Sequence, residues 1–261
     1  KFIIGIGGSA TTEGGIGMLS ALGYDFMDEN GDRLSPVFDS LEKVVQIKNN
    51  RVPEVLKDCH FQIACDVTNP LCGARGCVYV FGAQKGVKEE EKESMDRAMQ
   101  SYAACLEKFT GKKLSEIPGT GAAGGLGFAF LWGLPNVELK PGIDIVLEAV
   151  GLTNELKDAD VVVTGEGCLD FQTAMGKVPV GVAKTAKNYN CKVIAFAGSV
   201  TEEAKNCNEK GIDAFFSILP GVCSLDEAMD TETAQKNMRN AAEQVFRLIL
   251  ACGKEKSSLH P

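Results

Sequence analysis

No apolar run in these 261 residues approaches the roughly 18 that a membrane span needs. A soluble globular chain with no membrane partner is therefore expected. Basic residues are few and unclustered: 27 Lys and Arg stand against 35 Asp and Glu, for a net charge of -8. Phosphate contacts need clustered cations, so the charge argues against a nucleic-acid surface, while a small anion could still be met by a local basic or amide-lined pocket. Histidine is limited to His60 and His260, too few for a multi-histidine metal site and a poor basis for a Ser-His-Asp triad. His60 just precedes a strand and His260 lies in a polar tail, so both read as structural. A GxxxxGK[ST] loop is missing, because Phe171 stands five residues before Gly176, and neither HRD nor DFG occurs. P-loop proteins and protein kinases are thereby set aside.

Cysteine is not scarce, but CxxC pairs are absent. The closest group, Cys59, Cys65, Cys72 and Cys77, is irregularly spaced beside His60 alone. Small buried hydrophobes explain it better than zinc. With no secretory signal, the ten cysteines are expected to be free thiols in a reducing, cytoplasmic setting. The chain opens at Lys1 as if in mid-strand, and part of the natural protein is expected to precede it.

Short apolar runs ending in glycine-rich or acidic loops recur at 2–7, 61–67, 160–167, 192–199 and 213–219. Helical patterns lie between several of them, which predicts α/β architecture with a largely parallel sheet. Val87, Met95, Met99, Tyr102, Leu106 and Phe109 keep helical spacing, and 233–252 reads as an amphipathic final helix before Gly253. Asn30-Gly31 between apolar residues predicts a small hairpin. A helix over 141–156 places a domain boundary near residue 157.

Ligands in open α/β sheets bind beyond the carboxyl ends of the strands, and the polar loops of this chain follow its strands. GIGGSATTEGG offers backbone amides from Gly7 and Gly8, hydroxyls from Ser9, Thr11 and Thr12, and a following helix N-terminus as a phosphate cradle. ACDVTNPLCG presents Asp66 at a turn with Asn69, VFGAQKG carries Lys85, and GTGAAGGLGFAF is a second glycine-rich approach to a helix. TGEGCLDFQTAMGK adds Glu166, Asp170, Gln172, Thr173 and Lys177 in a loop after a strand. Phosphoryl transfer needs amides and cations around phosphate, carboxylates for Mg2+ and a carboxylate for the acceptor proton. Each part is in this inventory. The bland alternatives are glycines that serve packing, Asp66 as a turn former, Glu166 and Asp170 as caps, and solvated lysines. Gly5, Gly7 and Ala10 also match GxGxxG/A, the dinucleotide fingerprint, but a hairpin-like segment follows where a strand ending in an acid is required.

With these residues in view, the chain resembles the glycerate kinase family, on GIGGSATTEGGIGMLSALG, ACDVTNPLCG, VFGAQKG, GTGAAGGLG and VVVTGEGCLDFQTAMGK, in that order over residues 3 to 177. The resemblance implies ATP-dependent phosphorylation of D-glycerate with Mg2+, typically to 2-phosphoglycerate. It also implies two α/β domains: an inserted domain over most of 1–157, and the C-terminal part of a Rossmann-like domain over 158–261. Nothing here matches the DSFKGSLSA-like segment near the start of such proteins, and Thr12-Glu13 stands where Asn-Asp is frequent. The expected catalytic residues are Asp66 as base or hydroxyl anchor, with Glu166 and Asp170 as Mg2+ or substrate ligands. Gly7, Gly8, Ser9 and Thr11 are expected to cradle phosphate. Asn69, Lys85, Gln172, Thr173 and Lys177 are expected to contact glycerate or phosphate. A non-catalytic phospho-ligand module is the runner-up, an NAD-dependent oxidoreductase is third, and a homo-oligomer is left open.

Overall fold

A computed structural model describes residues 1–253; His260 lies outside the described residues. The chain divides into two compact α/β units, Lys1–Ile145 and a second that begins at Val146.

In the first unit, β1 (Phe2–Gly5) leads through the glycine loop to α1 (Ile16–Ala21), followed by β2 (Asp25–Met27), β3 (Gln46–Lys48) and β4 (Phe61–Ala64). Helices α2 (Cys77–Phe81), α3 (Lys92–Thr110) and α4 (Leu126–Gly133) come next, then β5 (Val137–Lys140). The main sheet runs β1-β4-β5, all parallel, with Phe2 opposite Phe61 and Phe61 opposite Val137.

Helix α4 is apolar on every side. Gly127, Phe128, Ala129, Phe130, Trp132 and Gly133 are all buried, as befits a helix at the centre of a core rather than on its surface. Phe128 and Trp132 pack with Leu19, Met99, Tyr102 and Leu106, whereas Phe130 joins Phe61 and Ile63 of the sheet. Helix α3 has the expected amphipathic pattern. Its acidic lead-in, Glu89–Glu91, sits at the positive end of the helix dipole, and Gly111 at φ 71° closes the other end.

Asp28 Oδ1 accepts from Asn30 N and Asp32 N, and Gly31 adopts φ 81°, so the predicted turn forms. It closes only a single bridge, Met27 to Arg33; the ladder of β2 is made antiparallel with β3. Since β1 pairs with β4 and not with β2, the strand order that a dinucleotide fingerprint requires is not followed.

The expected helix over 141–156 is two helices. α5 (Gly142–Ala149) ends before Gly151, which at φ 68° reverses the chain into α6 (Leu152–Glu155). Unit 1 ends inside α5, ahead of the expected residue 157.

The second unit continues with β6 (Val161–Leu169), α7 (Phe171–Ala174), α8 (Val178–Lys187), β7 (Lys192–Val200), β8 (Ala214–Ser217), α9 (Leu225–Met229) and α10 (Thr231–Gly253). Its sheet runs β6-β7-β8, again all parallel. Central β7 is covered on both faces. Val193, Ala195 and Ala197 pack toward Val180, Ala183 and Cys207, while Ile194 and Phe196 meet Val245 of α10. All ten cysteines are free, and no described helix is long and apolar enough to cross a membrane.

Candidate active site

The expected site residues fall into two groups, one in each unit. In unit 1, a cleft of about 480 Å3 at the carboxyl ends of β1 and β4 is lined by Gly7, Gly8, Ser9, Asp66, Phe81 and Lys85, among others. Four glycine-loop and strand-end motifs, far apart in sequence, thus supply one concavity.

The two glycine-rich loops lock together through backbone. Gly14 N donates to Gly124 O at 2.9 Å. A Cβ on Gly124, which has φ +67°, would stand 2.1 Å from Thr11 O, and one on Gly15 would stand 2.2 Å from Ala129 Cβ. These glycines are required by close approach. Gly7 and Gly8, by contrast, have open space around them. Among the described residues, no backbone amide from Gly7 to Thr12 donates to a protein acceptor. Ala123, on the rim of the cleft, is a non-glycine residue at φ 53°, the kind of backbone strain that gathers at functional sites.

One first-turn amide of the helix behind the first loop is already taken, because Glu13 Oε2 accepts from Gly17 N at 2.9 Å. A phosphate at the start of α1 would share that end with the Glu13 carboxylate. The exposed amides remain.

Lys85 sits in a short turn closed by Gly86 at φ 92°. Its Nζ donates to Ser9 Oγ at 2.8 Å and to Thr11 O at 2.7 Å, both neutral acceptors. Burial lowers its pKa below the usual lysine value, and among the described residues the titratable neighbour that acts on it is Cys77. Burial pushes that thiol up to about 12, so it is neutral at physiological pH and supplies no counter-charge. A half-buried cation without a carboxylate partner is an invitation to an anion.

Asp66 is exposed at the end of β4, where its Oδ1 accepts from Gly142 N at 2.8 Å and so caps α5. Its other oxygen has no partner among the described residues. Asn69 plays a different part from the one expected. Its side chain donates to Arg75 O, and its carbonyl receives Gly119 N and Gly121 N. It builds the loop and does not line the cleft.

In unit 2, β6 extends to Leu169 and pairs with β7 as far as Val200. Glu166 therefore lies on the strand, not in a loop after it. Thr173 is fully buried; its hydroxyl makes a short hydrogen bond to Glu166 Oε1 and accepts from Asp170 N at 3.1 Å. That hydroxyl is committed to the protein, so the expected contact with ligand becomes a positioning role. Asp170 caps α7, its Oδ1 accepting from Gln172 N and Thr173 N at 2.9 and 3.0 Å. The bond from the Thr173 amide, offset by partial desolvation and aided by Lys177, holds its carboxyl below the usual range. Lys177 caps α8 with its Nζ 3.7 Å from Asp170 Oδ1, and Gln172 is exposed.

Glu166 Oε2 and Asp170 Oδ2 each lack a partner among the described residues. Glu166 Oε1 and Asp170 Oδ1 both approach the Thr173 hydroxyl, which places the two carboxylates against one side chain, and carboxylate oxygens are the ligand type a hard cation takes. No three His, Cys, Asp or Glu side chains gather as a ready metal cage among the described residues.

Residues 1–250 match the family model described as the glycerate kinase family. The chain is 42% identical over 249 residues to a glycerate kinase of Bacillus subtilis (strain 168), covering 95% of this chain and 64% of that protein. It is 44% identical over 228 residues to a glycerate 2-kinase of Escherichia coli (strain K12), covering 87% and 60%. A solved structure assigned to glycerate kinase 2 of Salmonella typhimurium LT2 aligns with a TM-score of 0.81 at 41% identity, over 97% of this chain and 65% of that one. The chain thus spans a little under two-thirds of the length of these relatives.

Proposed function

Because the chain belongs to the glycerate kinase family, we propose that the protein of which it is part phosphorylates D-glycerate with ATP and Mg2+, at the 2-hydroxyl, in the cytoplasm. The observation that carries this reading is the cleft in unit 1, where a half-buried lysine without a carboxylate partner faces open loop amides beside an exposed aspartate.

The Lys85 ammonium and the amides of Gly7 to Thr11 hold an anionic group, the carboxylate of glycerate or a transferring phosphoryl group. Asp66 accepts the proton of the attacking hydroxyl through its free oxygen, while its other oxygen stays fixed to Gly142 N. In unit 2, Glu166 and Asp170 would hold Mg2+, with Thr173 keeping Glu166 oriented. Such an ion would supply charge neutralisation for the nucleotide phosphates. Lys177 and Gln172 supply outer polar contacts.

The test is ADP release by the full-length protein with Mg-ATP, with and without D-glycerate, and 31P NMR of the product. Asp66→Asn preserves an acceptor for Gly142 N and removes the base. It is expected to lower kcat at least ~10²-fold with the fold intact. Unchanged turnover would reduce Asp66 to a helix cap.

A further inference from the structure

We propose that Lys85 is a site of acylation by small acyl phosphates, the cleft delivering the reagent to the amine. The inference shares with the kinase reading only the claim that the cleft binds anions.

An amine attacks a carbonyl only through a free lone pair. Most surface lysines are protonated and wander in water, so they are slow. Lys85 differs in three respects. It lines a cleft of about 480 Å3, its Nζ is anchored at two points, and no carboxylate among the described residues pairs with it. Desolvation disfavours the ammonium there. The two anchors also fix orientation. A neutral amine has two N–H bonds, and Ser9 Oγ and Thr11 O can take both. The remaining tetrahedral position, apart from the bond to Cε, is the lone pair, which is thus directed away from both acceptors.

The adjoining amides of Gly7, Gly8 and Ser9 would hold the phosphate end of an acyl phosphate. Attack of Nζ on the acyl carbon forms the C–N bond and breaks the bond from that carbon to the phosphate oxygen. The electron pair leaves with inorganic phosphate, which also takes the proton that Nζ releases. The product is an amide with one N–H, so one of the two anchors to the Ser9–Thr11 segment must be given up. The cleft loses its cation at the same time. Acylation would therefore switch the site off.

The test treats the full-length protein with acetyl phosphate and follows acetylation at each lysine by peptide mass spectrometry over time. Lys85 should be acetylated at least about tenfold faster than the exposed Lys112 and Lys210, a conservative value for a reagent concentrated by a cleft. Inorganic phosphate should slow Lys85 and leave the other two unchanged. A Lys85 rate no higher than theirs, or one that is indifferent to inorganic phosphate, would overturn the proposal. Protection by phosphate but not by D-glycerate would leave the acylation site standing and count against glycerate as the ligand.

Discussion

Replacing Gly124 by Ala should separate the two glycine-rich loops, and the cost can be worked against a control. Gly86→Ala is that control: its φ is +92°, and no atom lies within 4 Å of an added Cβ. It bears only the left-handed conformational penalty of about 1–2 kcal/mol, part of which is offset by lost freedom in the unfolded chain. Gly124→Ala bears a similar penalty at φ +67°, but its Cβ would also lie 2.1 Å from Thr11 O and 2.7 Å from Thr12 Cα. Those are backbone atoms and cannot rotate away. Overpacking of that kind costs about 1–3 kcal/mol, and displacement of the loop breaks the Gly14–Gly124 hydrogen bond, worth about 1 kcal/mol. Gly124→Ala should therefore be about 2–4 kcal/mol worse than Gly86→Ala. The chain has a single tryptophan, and Trp132 is buried in unit 1 with Nε1 donating to Leu106 O. Its fluorescence in urea reports this unit alone. With a slope of about 2 kcal/mol/M, the midpoints should differ by about 1–2 M. Coincident midpoints would refute the claim that the glycines interlock the loops.

Tyr102 is fully buried and its hydroxyl has no partner among the described residues. Tyr102→Phe should accordingly leave stability unchanged or raise it, by up to about 1–3 kcal/mol, in the same urea titration; a loss would reveal a hidden partner. Asp170 has a folded-state pKa below its unfolded value, chiefly through the Thr173 amide. Its contribution is thus complete above the unfolded pKa of about 4 and is lost as pH falls through that value toward the folded one. Asp170→Asn should flatten the acid limb of stability between about pH 5 and 3, followed by hydrogen exchange in α7, and an unchanged limb would contradict the cap.

Much of the architecture could be read from the sequence, because the parallel strands are short apolar runs whose ends are marked by glycine or acid. What could not be read depends on partners distant along the chain. Asn30-Gly31 is a valid local turn signal, yet the ladder of β2 is made with Gln46–Lys48. The apolar spacing over 141–156 continues through Gly151, whose left-handed backbone ends the rod. Asp66, Ser9 and the glycines do converge, as their strand-end positions suggested, and Lys85 joins them from the turn that follows α2 rather than from a strand. Asn69 and Thr173 look like ligand contacts in sequence, but the Thr173 hydroxyl is bonded within the protein and the Asn69 side chain spends one N–H on Arg75 O. The packing duty of Gly15 and Gly124 is invisible in a motif, since a phosphate-binding glycine and one pressed against backbone are spelled alike.

The two parallel sheets differ in the chain length that each must gather. Pairing β1 with β4 closes a loop of roughly 60 residues, and β4 with β5 one of roughly 75. Pairing β6 with β7 closes roughly 30. Each doubling adds only about 0.6 kcal/mol of closure entropy, so stability barely registers the difference. Assembly kinetics do register it, because distant strands must find each other before their contacts can reward the search. The sheet of unit 2 can therefore condense while β1 still waits for β4. During synthesis β1 is made well before β4, and until β4 follows it carries Phe2 and Ile3, half exposed even in the folded unit, on an unpaired strand. The segment that ends at the cleft is thus one that depends on protection while the protein is being made.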